Sequence, residues 1–92
     1  MDVRGRARQS DVTTLTLYVA RDCHLCEIAR ADLARLAPEL GFEVEEIEIT
    51  GIPELERRYR EWLPVIELDG RRLSVYRVEE SELRAAVTRP GR

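Results

Sequence analysis

A pair of cysteines two residues apart lies where the sequence changes from a strand pattern to a helix pattern. Residues 21–27 read RDCHLCE and contain both cysteines and the only histidine of the 92-residue chain. The preceding residues 13–20 are uncharged and rich in β-branched side chains, which is typical of a buried strand. Such a pair can bind a metal, form a structural disulfide or act as a redox dithiol. The fold must therefore lead a strand directly into a helix near Cys23.

The segment that starts between the cysteines has the apolar spacing of an amphipathic helix. Its apolar residues recur at intervals of four, four, three and four: Leu25, Ala29, Leu33, Leu36 and Leu40. Gly41 is expected to end this helix, because glycine readily adopts the left-handed conformation of a C-cap. Pro38 is expected to bend the last turn.

A second strand and a short helix follow. Residues 42–49 read FEVEEIEI, and the apolar phase shifts between Val44 and Ile47, so we expect a bulge or a late start of the strand. The next residues, TGIP, open a short helix with Pro53 near its first position. The inner face of that helix is predicted to carry Leu55, Tyr59 and Trp62.

The clearest turn signal of the sequence lies between PVIEL and RRLSVY. Asp69-Gly70 separates these two strand patterns, which is typical of a two-residue β-hairpin. Counting outward from the turn pairs Leu68 with Arg71, Glu67 with Arg72, Ile66 with Leu73 and Pro64 with Val75. The second of these pairs is expected to be a cross-strand charge pair.

A last helix is predicted over EESELRAAVTR, so the element order is β-α-β-α-β-β-α. The first two strands should be parallel, with a right-handed crossover, and the hairpin adds an antiparallel pair. The predicted fold is α/β: a four-stranded mixed sheet with helices on both faces. We expect one domain over residues 12–89, a flexible arm over 1–11 and a short tail over 90–92.

Composition and charge exclude several classes of protein. The net charge is −3, so the arginines of residues 1–11 do not amount to a nucleic-acid-binding surface. Those residues lack the apolar segment of a secretory signal, and no apolar run is long enough to span a bilayer. We therefore expect a cytoplasmic monomer that binds neither nucleic acid nor membrane. In a reducing cytoplasm, a close cysteine pair is more often catalytic or metal-binding than structural.

The position of the cysteines suits thiol–disulfide exchange. The free N–H groups and the dipole of a helix N-terminus favour a thiolate on Cys23. The spacing brings Cys26 to the same side of the first turn, close enough to close a disulfide. An exposed first sulfur can attack a partner disulfide, and a half-buried second sulfur can resolve the mixed disulfide.

Other interpretations of the pair have weaker support. Structural zinc needs four ligands, whereas this chain has one cysteine pair and one histidine, so a metal would need carboxylates or a second copy of the chain. A structural disulfide across so small a loop would constrain the unfolded chain very little. A further interpretation is that the two cysteines are simply buried and inert. His24 could support the Cys23 thiolate or be a solvated helix-start residue, while Asp22 opposes the thiolate and Arg21 favours it.

The dipeptide Leu63-Pro64 is the second informative feature. Pro64 begins the third strand after a helix with an aromatic end. A cis bond here would expose the backbone of Leu63 beside the dithiol, where an extended substrate could pair with it as an added strand. A proline that only ends a helix is the other interpretation.

These residues together resemble the thioredoxin superfamily and, within it, the short bacterial glutaredoxin-like proteins. The resemblance covers about residues 13–88 and rests on three stretches: LYVARDCHLCEIAR, PELERRY and LPVIELDGR. It implies a thioredoxin fold, with Cys23 as nucleophile and Cys26 as resolving thiol. It also implies that Pro64 is cis and packs against the disulfide, and that Leu63 offers its backbone to the substrate.

The sequence differs from glutaredoxins around the dithiol. They usually have Pro-Tyr between the cysteines, where this chain has His24-Leu25, and a basic residue three positions before the first cysteine, where it has Ala20. After the fourth strand they carry a Gly-Gly pair whose backbone holds a glutathione carboxylate; this chain has YRVEE instead. The two acids there disfavour an anion, and Arg77 compensates in part. We therefore expect weak use of glutathione and no tightly bound cofactor or metal.

The sequence thus predicts an enzyme, a thiol–disulfide oxidoreductase that transfers electrons to protein disulfides. Its donor would be a thioredoxin-reductase-like protein or a low-molecular-weight thiol. Catalysis is assigned to Cys23 and Cys26, and support to His24, Arg21 and Pro64. Contacts with the substrate are assigned to Leu25, Trp62, Leu63 and Arg77. The alternative is a non-enzymatic adaptor or redox sensor that binds a partner through Trp62-Leu63-Pro64.

Overall fold

The helices and strands follow the predicted order. The computed structural model describes residues 13–88, so the predicted arm over 1–11 and tail over 90–92 lie outside the described residues. The elements are β1 Thr13–Val19, α1 His24–Leu40, β2 Phe42–Glu48, α2 Pro53–Tyr59, a 3₁₀ turn Arg60–Trp62, β3 Val65–Leu68, β4 Arg71–Val75 and α3 Glu80–Thr88. Within residues 13–88, no helix is long and apolar enough to cross a membrane.

The strands of the described part form one mixed sheet in the order β2-β1-β3-β4. β1 and β2 are parallel, whereas β3 is antiparallel to both β1 and β4. This confirms the predicted α/β class and the mixed four-stranded sheet. β1 is therefore an inner strand, and the residues that follow it lie at the end of a central strand of the sheet.

Two apolar clusters cover the two faces of the sheet. On one face, α1 and α3 bury Leu33, Leu36 and Leu83 against Leu15 and Leu17 of β1. On the other face, α2 packs through Tyr59 against Ile49 and Val65. Both faces of β1 are thus covered, which explains the uncharged sequence of that strand.

The apolar phase shift in β2 needs neither a bulge nor a late start, and that prediction was wrong. β2 pairs with β1 in one continuous register from Phe42 to Glu48. Phe42 packs into the cluster beneath α1, whereas Ile49, just after the strand, packs into the cluster beneath α2. Successive residues of a strand point to opposite faces. The apolar phase shifts because the start of β2 is buried on the face that α1 covers, and its end on the face that α2 covers.

The hairpin register differs from the predicted one beyond the first two pairs. Leu68–Arg71 and Glu67–Arg72 pair as expected around an Asp69-Gly70 turn in which both residues have positive φ. The register then shifts, so that Ile66 faces Ser74 instead of Leu73, and Val65 instead of Pro64 faces Val75. A β-bulge, with Leu73 as the extra residue of β4, produces this shift.

Three side chains lie differently from the sequence prediction. Leu25 is 46% exposed, because Cys26 takes the first buried position of α1. Trp62 is exposed as well, since it belongs to the 3₁₀ turn, where the helical period of α2 no longer holds. Within residues 13–88, Arg72 forms no ion pair with Glu67; its guanidinium carbon lies 6.0 Å from the centroid of the Tyr59 ring.

Gly41 ends α1 as predicted, and its replacement tests the C-cap. Its φ is +80°, and its N–H donates to the Ala37 carbonyl at 2.7 Å. A methyl group there would meet no atom within 4 Å, so the cost of Gly41→Ala is conformational. We expect a loss of about 1 kcal/mol in the free energy of unfolding, measured by urea denaturation. Gly41→Asn should lose less, because asparagine tolerates this conformation; equal losses would contradict the explanation.

Candidate functional site

Cys23 is the N-cap of α1. Its backbone is extended, with φ −109° and ψ 103°, and its Sγ accepts a hydrogen bond from the Cys26 N–H at 3.2 Å. The Glu27 N–H donates to the Cys23 carbonyl at 3.2 Å and starts the helical ladder. Cys23 is thus used where serine or aspartate usually caps a helix, and its sulfur lies among the free N–H groups of the first turn.

Cys23 and Cys26 form a disulfide, with their Cα atoms 5.2 Å apart. Cys26 is 1% exposed and belongs to the apolar cluster beneath α1, whereas Cys23 is half-buried at the edge of that cluster. The two sulfurs therefore differ in access. Cys23 is the more accessible of the two cysteines, and Cys26 is enclosed by the core.

The turn between β1 and α1 is tied to the end of β2. The Arg21 N–H donates to the Thr50 Oγ1 at 3.0 Å, and the Arg21 Nε donates to a Glu48 carboxylate oxygen at 3.2 Å. Asp22, just before the cysteine, has φ +57°. The Arg21 guanidinium is thus paired with Glu48 in an exposed ion pair.

His24 and Leu25, between the cysteines, are both exposed on the first turn of α1. Since Cys26 points into the core, these two side chains form the outer surface beside the disulfide. Their exposure leaves both side chains open to solvent beside Cys23.

The Leu63-Pro64 peptide bond is cis, as the resemblance implies. The β1–β3 register pairs Tyr18 with Val65, so Pro64 and Leu63 run alongside the chain that leads into the cysteines. Leu63 lines a cleft of about 430 Å³ together with Ala20 and Asp22. The topology therefore brings Leu63-Pro64 next to the turn that carries Cys23.

The segment after β4 is more constrained than its sequence indicates. The Arg77 Nε donates to a Glu79 carboxylate oxygen at 2.9 Å. Arg84 donates to Glu80, and this hydrogen bond lowers the pKa of the Glu80 carboxyl. Arg77 therefore offers an anion less charge than the sequence suggests.

Tyr76 lies beside Pro64 and is not among the site residues predicted from the sequence. It follows β4 with φ +72°, and its hydroxyl donates to the Glu61 carbonyl at 3.1 Å. Its ring lies 6.1 Å from that of Trp62, and both rings are exposed. No local pattern marks this residue; a missing glycine where the chain turns sharply is the one signal that could have drawn attention to it.

A second cleft, of about 460 Å³, is lined by Cys23 itself together with Val19 and Ala20. Its charged lining consists of Arg21, Arg30, Asp22, Glu27, Glu46 and Glu48. Arg30 is hydrogen-bonded to Glu46, which raises the pKa of the guanidinium. With four acids against two arginines, the surface beside Cys23 carries an excess of negative charge.

The described residues also bear on a metal site. Within residues 13–88, no three side chains from His, Cys, Asp and Glu come together as a metal site. The His24 side chain is exposed, and both sulfurs are bonded to each other. The described part of the chain therefore provides a dithiol–disulfide pair and no further soft ligand beside it.

Comparison with known sequences gives a family. The model of the glutaredoxin-like domain (DUF836) matches residues 14–88. An uncharacterized protein of Mycobacterium tuberculosis and one of Mycobacterium bovis are each 39% identical to this chain over 78 residues, or 79% of this chain and 80% of the relative.

Solved structures give the same fold. A protein of Nitrosomonas europaea, solved in solution by NMR, is similar with a TM-score of 0.73 and 31% identity, covering 82% of this chain and 91% of its own. A Fasciola hepatica thioredoxin has a TM-score of 0.59 at 22% identity, over 96% and 90% of the two chains. Chloroplastic thioredoxin z has 0.62 at 21%, over 92% and 83%. The last two likenesses concern the fold alone, which is that of thioredoxin.

Proposed function

Because this chain belongs to the glutaredoxin-like domain family of the thioredoxin superfamily, we propose that it is a cytoplasmic thiol–disulfide oxidoreductase acting on protein disulfides. The observation that supports this most is the unequal exposure of two bonded sulfurs at a helix N-terminus: Cys23 is accessible and Cys26 is 1% exposed. This asymmetry suits an exchange reaction, since one sulfur attacks the substrate disulfide and the other later resolves the mixed disulfide.

The reaction begins from the reduced dithiol. The Cys23 thiolate attacks one sulfur of the substrate disulfide, a mixed disulfide forms, and one substrate thiolate leaves and takes a proton from water. The Cys26 thiolate then attacks the Cys23 sulfur, so the mixed disulfide breaks and the second substrate thiol is released. The substrate gains two electrons and two protons, and the chain is left as the Cys23–Cys26 disulfide.

The N-terminus of α1 supports the first step. The Cys26 N–H already donates to the Cys23 Sγ in the disulfide form. In the reduced form the same N–H and the helix dipole would stabilise a negative sulfur, which favours the thiolate over the thiol. Asp22 and Glu27, which line the cleft beside Cys23, act in the opposite direction.

The proposed electron donor is a dithiol reductase or a low-molecular-weight thiol other than glutathione. Glutathione carries two carboxylates, and the arginines in and after the segment that follows β4 are already paired: Arg77 with Glu79, and Arg84 with Glu80. An arginine that a neighbouring carboxylate already holds attracts a bound anion less strongly. We therefore propose weak glutathione use.

Reduction of insulin disulfides tests the activity. With dithiothreitol as donor, the protein should accelerate insulin reduction by about tenfold or more over dithiothreitol alone, because a helix N-terminus favours the reactive thiolate form of Cys23. Protein whose reduced cysteines have been alkylated is the matched control and should add nothing. Reduced glutathione in place of dithiothreitol should support much slower turnover. No acceleration with any donor would contradict the proposal.

A further inference from the structure

Tyr76 has an unusual backbone conformation for a bulky residue. Its φ of +72° lies in the left-handed region, where a side chain other than that of glycine is strained by about 1–2 kcal/mol. Such a conformation persists only when surrounding contacts hold it. The contacts of Tyr76 therefore indicate what the conformation provides.

Those contacts all reach the segment that precedes β3. The Tyr76 N–H is shared between the Pro64 carbonyl at 2.9 Å and the Trp62 carbonyl at 3.3 Å. The Tyr76 hydroxyl donates to the Glu61 carbonyl at 3.1 Å. One residue thus binds the backbone of three of the four residues over 61–64, and it holds the turn before Pro64 from outside the sheet.

The two aromatic rings form what we call the aromatic rim, made of Trp62 and Tyr76. The rings are tilted by 39° with their centroids 6.1 Å apart, and they are 41% and 46% exposed. Val75 faces Val65, and Val65 faces Tyr18, so Tyr76, Pro64 and the chain leading to Cys23 lie side by side across the sheet. The rim therefore borders the segment along which a substrate of Cys23 would lie.

The rim and the charges around it indicate the kind of substrate. Exposed aromatic side chains offer a large apolar contact area at a low entropic cost, which suits an apolar partner side chain. The acids that line the cleft beside Cys23, Asp22 and Glu27 among them, disfavour an anionic one. A disulfide within a protein chain can supply an apolar neighbour, whereas a small anionic disulfide cannot.

We propose that Tyr76 determines substrate specificity: held against residues 61–64, it completes an aromatic rim that selects disulfides flanked by an apolar residue over those flanked by an acid. This inference rests on the proposed exchange reaction and names its substrate class. The peptide disulfide is reduced to two thiols by the Cys23–Cys26 dithiol, and dithiothreitol restores the dithiol in the test.

Two peptide disulfides test the inference. Each is a disulfide-linked dimer of one short peptide, and the two peptides differ only in the residue before the cysteine, phenylalanine or glutamate. With dithiothreitol as donor, the native protein should reduce the phenylalanine peptide about tenfold faster. Tyr76→Gly and Tyr76→Asn, which both suit a positive φ, should lose most of that preference. Tyr76→Phe keeps the ring and should retain the preference.

Controls separate specificity from folding and from the reaction itself. Val44→Ala removes an exposed apolar side chain far along the sheet on β2 and should leave the preference unchanged. Circular dichroism and Tm verify each variant, and Trp62→Ala removes the other half of the rim if the Tyr76 variants do not fold. The inference is overturned if the native protein reduces the two peptides at equal rates, or if the variants without the ring keep the full preference. Either result leaves the proposed function standing. Reduction of neither peptide would overturn the proposed function, and this inference with it.

Discussion

The Cys26→Ser variant is expected to stop after the first exchange step and to hold its substrate as a mixed disulfide. Cys26 is the sulfur within reach of a substrate bound at Cys23, and the core encloses it. Serine cannot attack a disulfide, so the intermediate would persist. Turnover of insulin should fall by at least about a hundredfold, because loss of one member of a reacting pair removes the complete reaction. Non-reducing electrophoresis and mass spectrometry of material captured from cells measure the trapped adduct.

Cys23→Ser is the matched control for this trap. It leaves a buried Cys26 thiol that a partner cannot reach, so it should capture nothing and show no turnover. Capture by Cys23→Ser but not by Cys26→Ser would reverse the assigned roles. A stable partner complex that survives Cys23→Ser, together with no insulin reduction, would favour the alternative function as a binding module.

Leu33→Ala is expected to remove a large part of the stability of the domain. Leu33 is 1% exposed and lies in the cluster that joins α1 to β1 and α3. Truncating such a leucine typically costs about 2–5 kcal/mol, through lost apolar burial and the cavity that remains. A domain of this size has about 5–15 kcal/mol in total, so the midpoint of urea unfolding should fall markedly. The measurement is made on the disulfide form.

Leu25→Ala is the matched control, since it is the same substitution on the same helix. Leu25 is 46% exposed, and its loss should change the free energy of unfolding by no more than about 0.5 kcal/mol. The sequence spacing places both leucines on one apolar face of α1, so the two variants also test which of them the fold buries. Equal losses would show that Leu25 is buried after all.

Features set by a few neighbouring residues could be predicted from the sequence. Gly41 ends α1 and Asp69-Gly70 forms the hairpin turn, because positive φ angles are preferences of single residues. The strand-to-helix junction at Cys23 could be predicted as well, since a strand pattern and a helix pattern meet there. These signals were sufficient for the element order and for the mixed sheet.

Features that depend on contacts between distant segments could not be predicted. The bulge at Leu73 changes the hairpin register without any mark in the sequence of β4. The phase shift in β2 was mistaken for an irregularity, because the sequence does not tell that α1 covers one face and α2 the other. Burial of Cys26 in place of Leu25 likewise depends on which side of α1 meets the sheet.

The sequence by itself determined the chemistry available to this protein: two cysteines one helical turn apart, the first at a helix N-terminus, because residue spacing and backbone preference are local properties. Only the tertiary structure decided what surrounds them. It paired Arg21 with Glu48 and Arg77 with Glu79, and it held Tyr76 against residues 61–64. Two of these contacts join residues more than a dozen positions apart, and all three depend on where the folded chain places each side chain, which the spacing of residues does not encode.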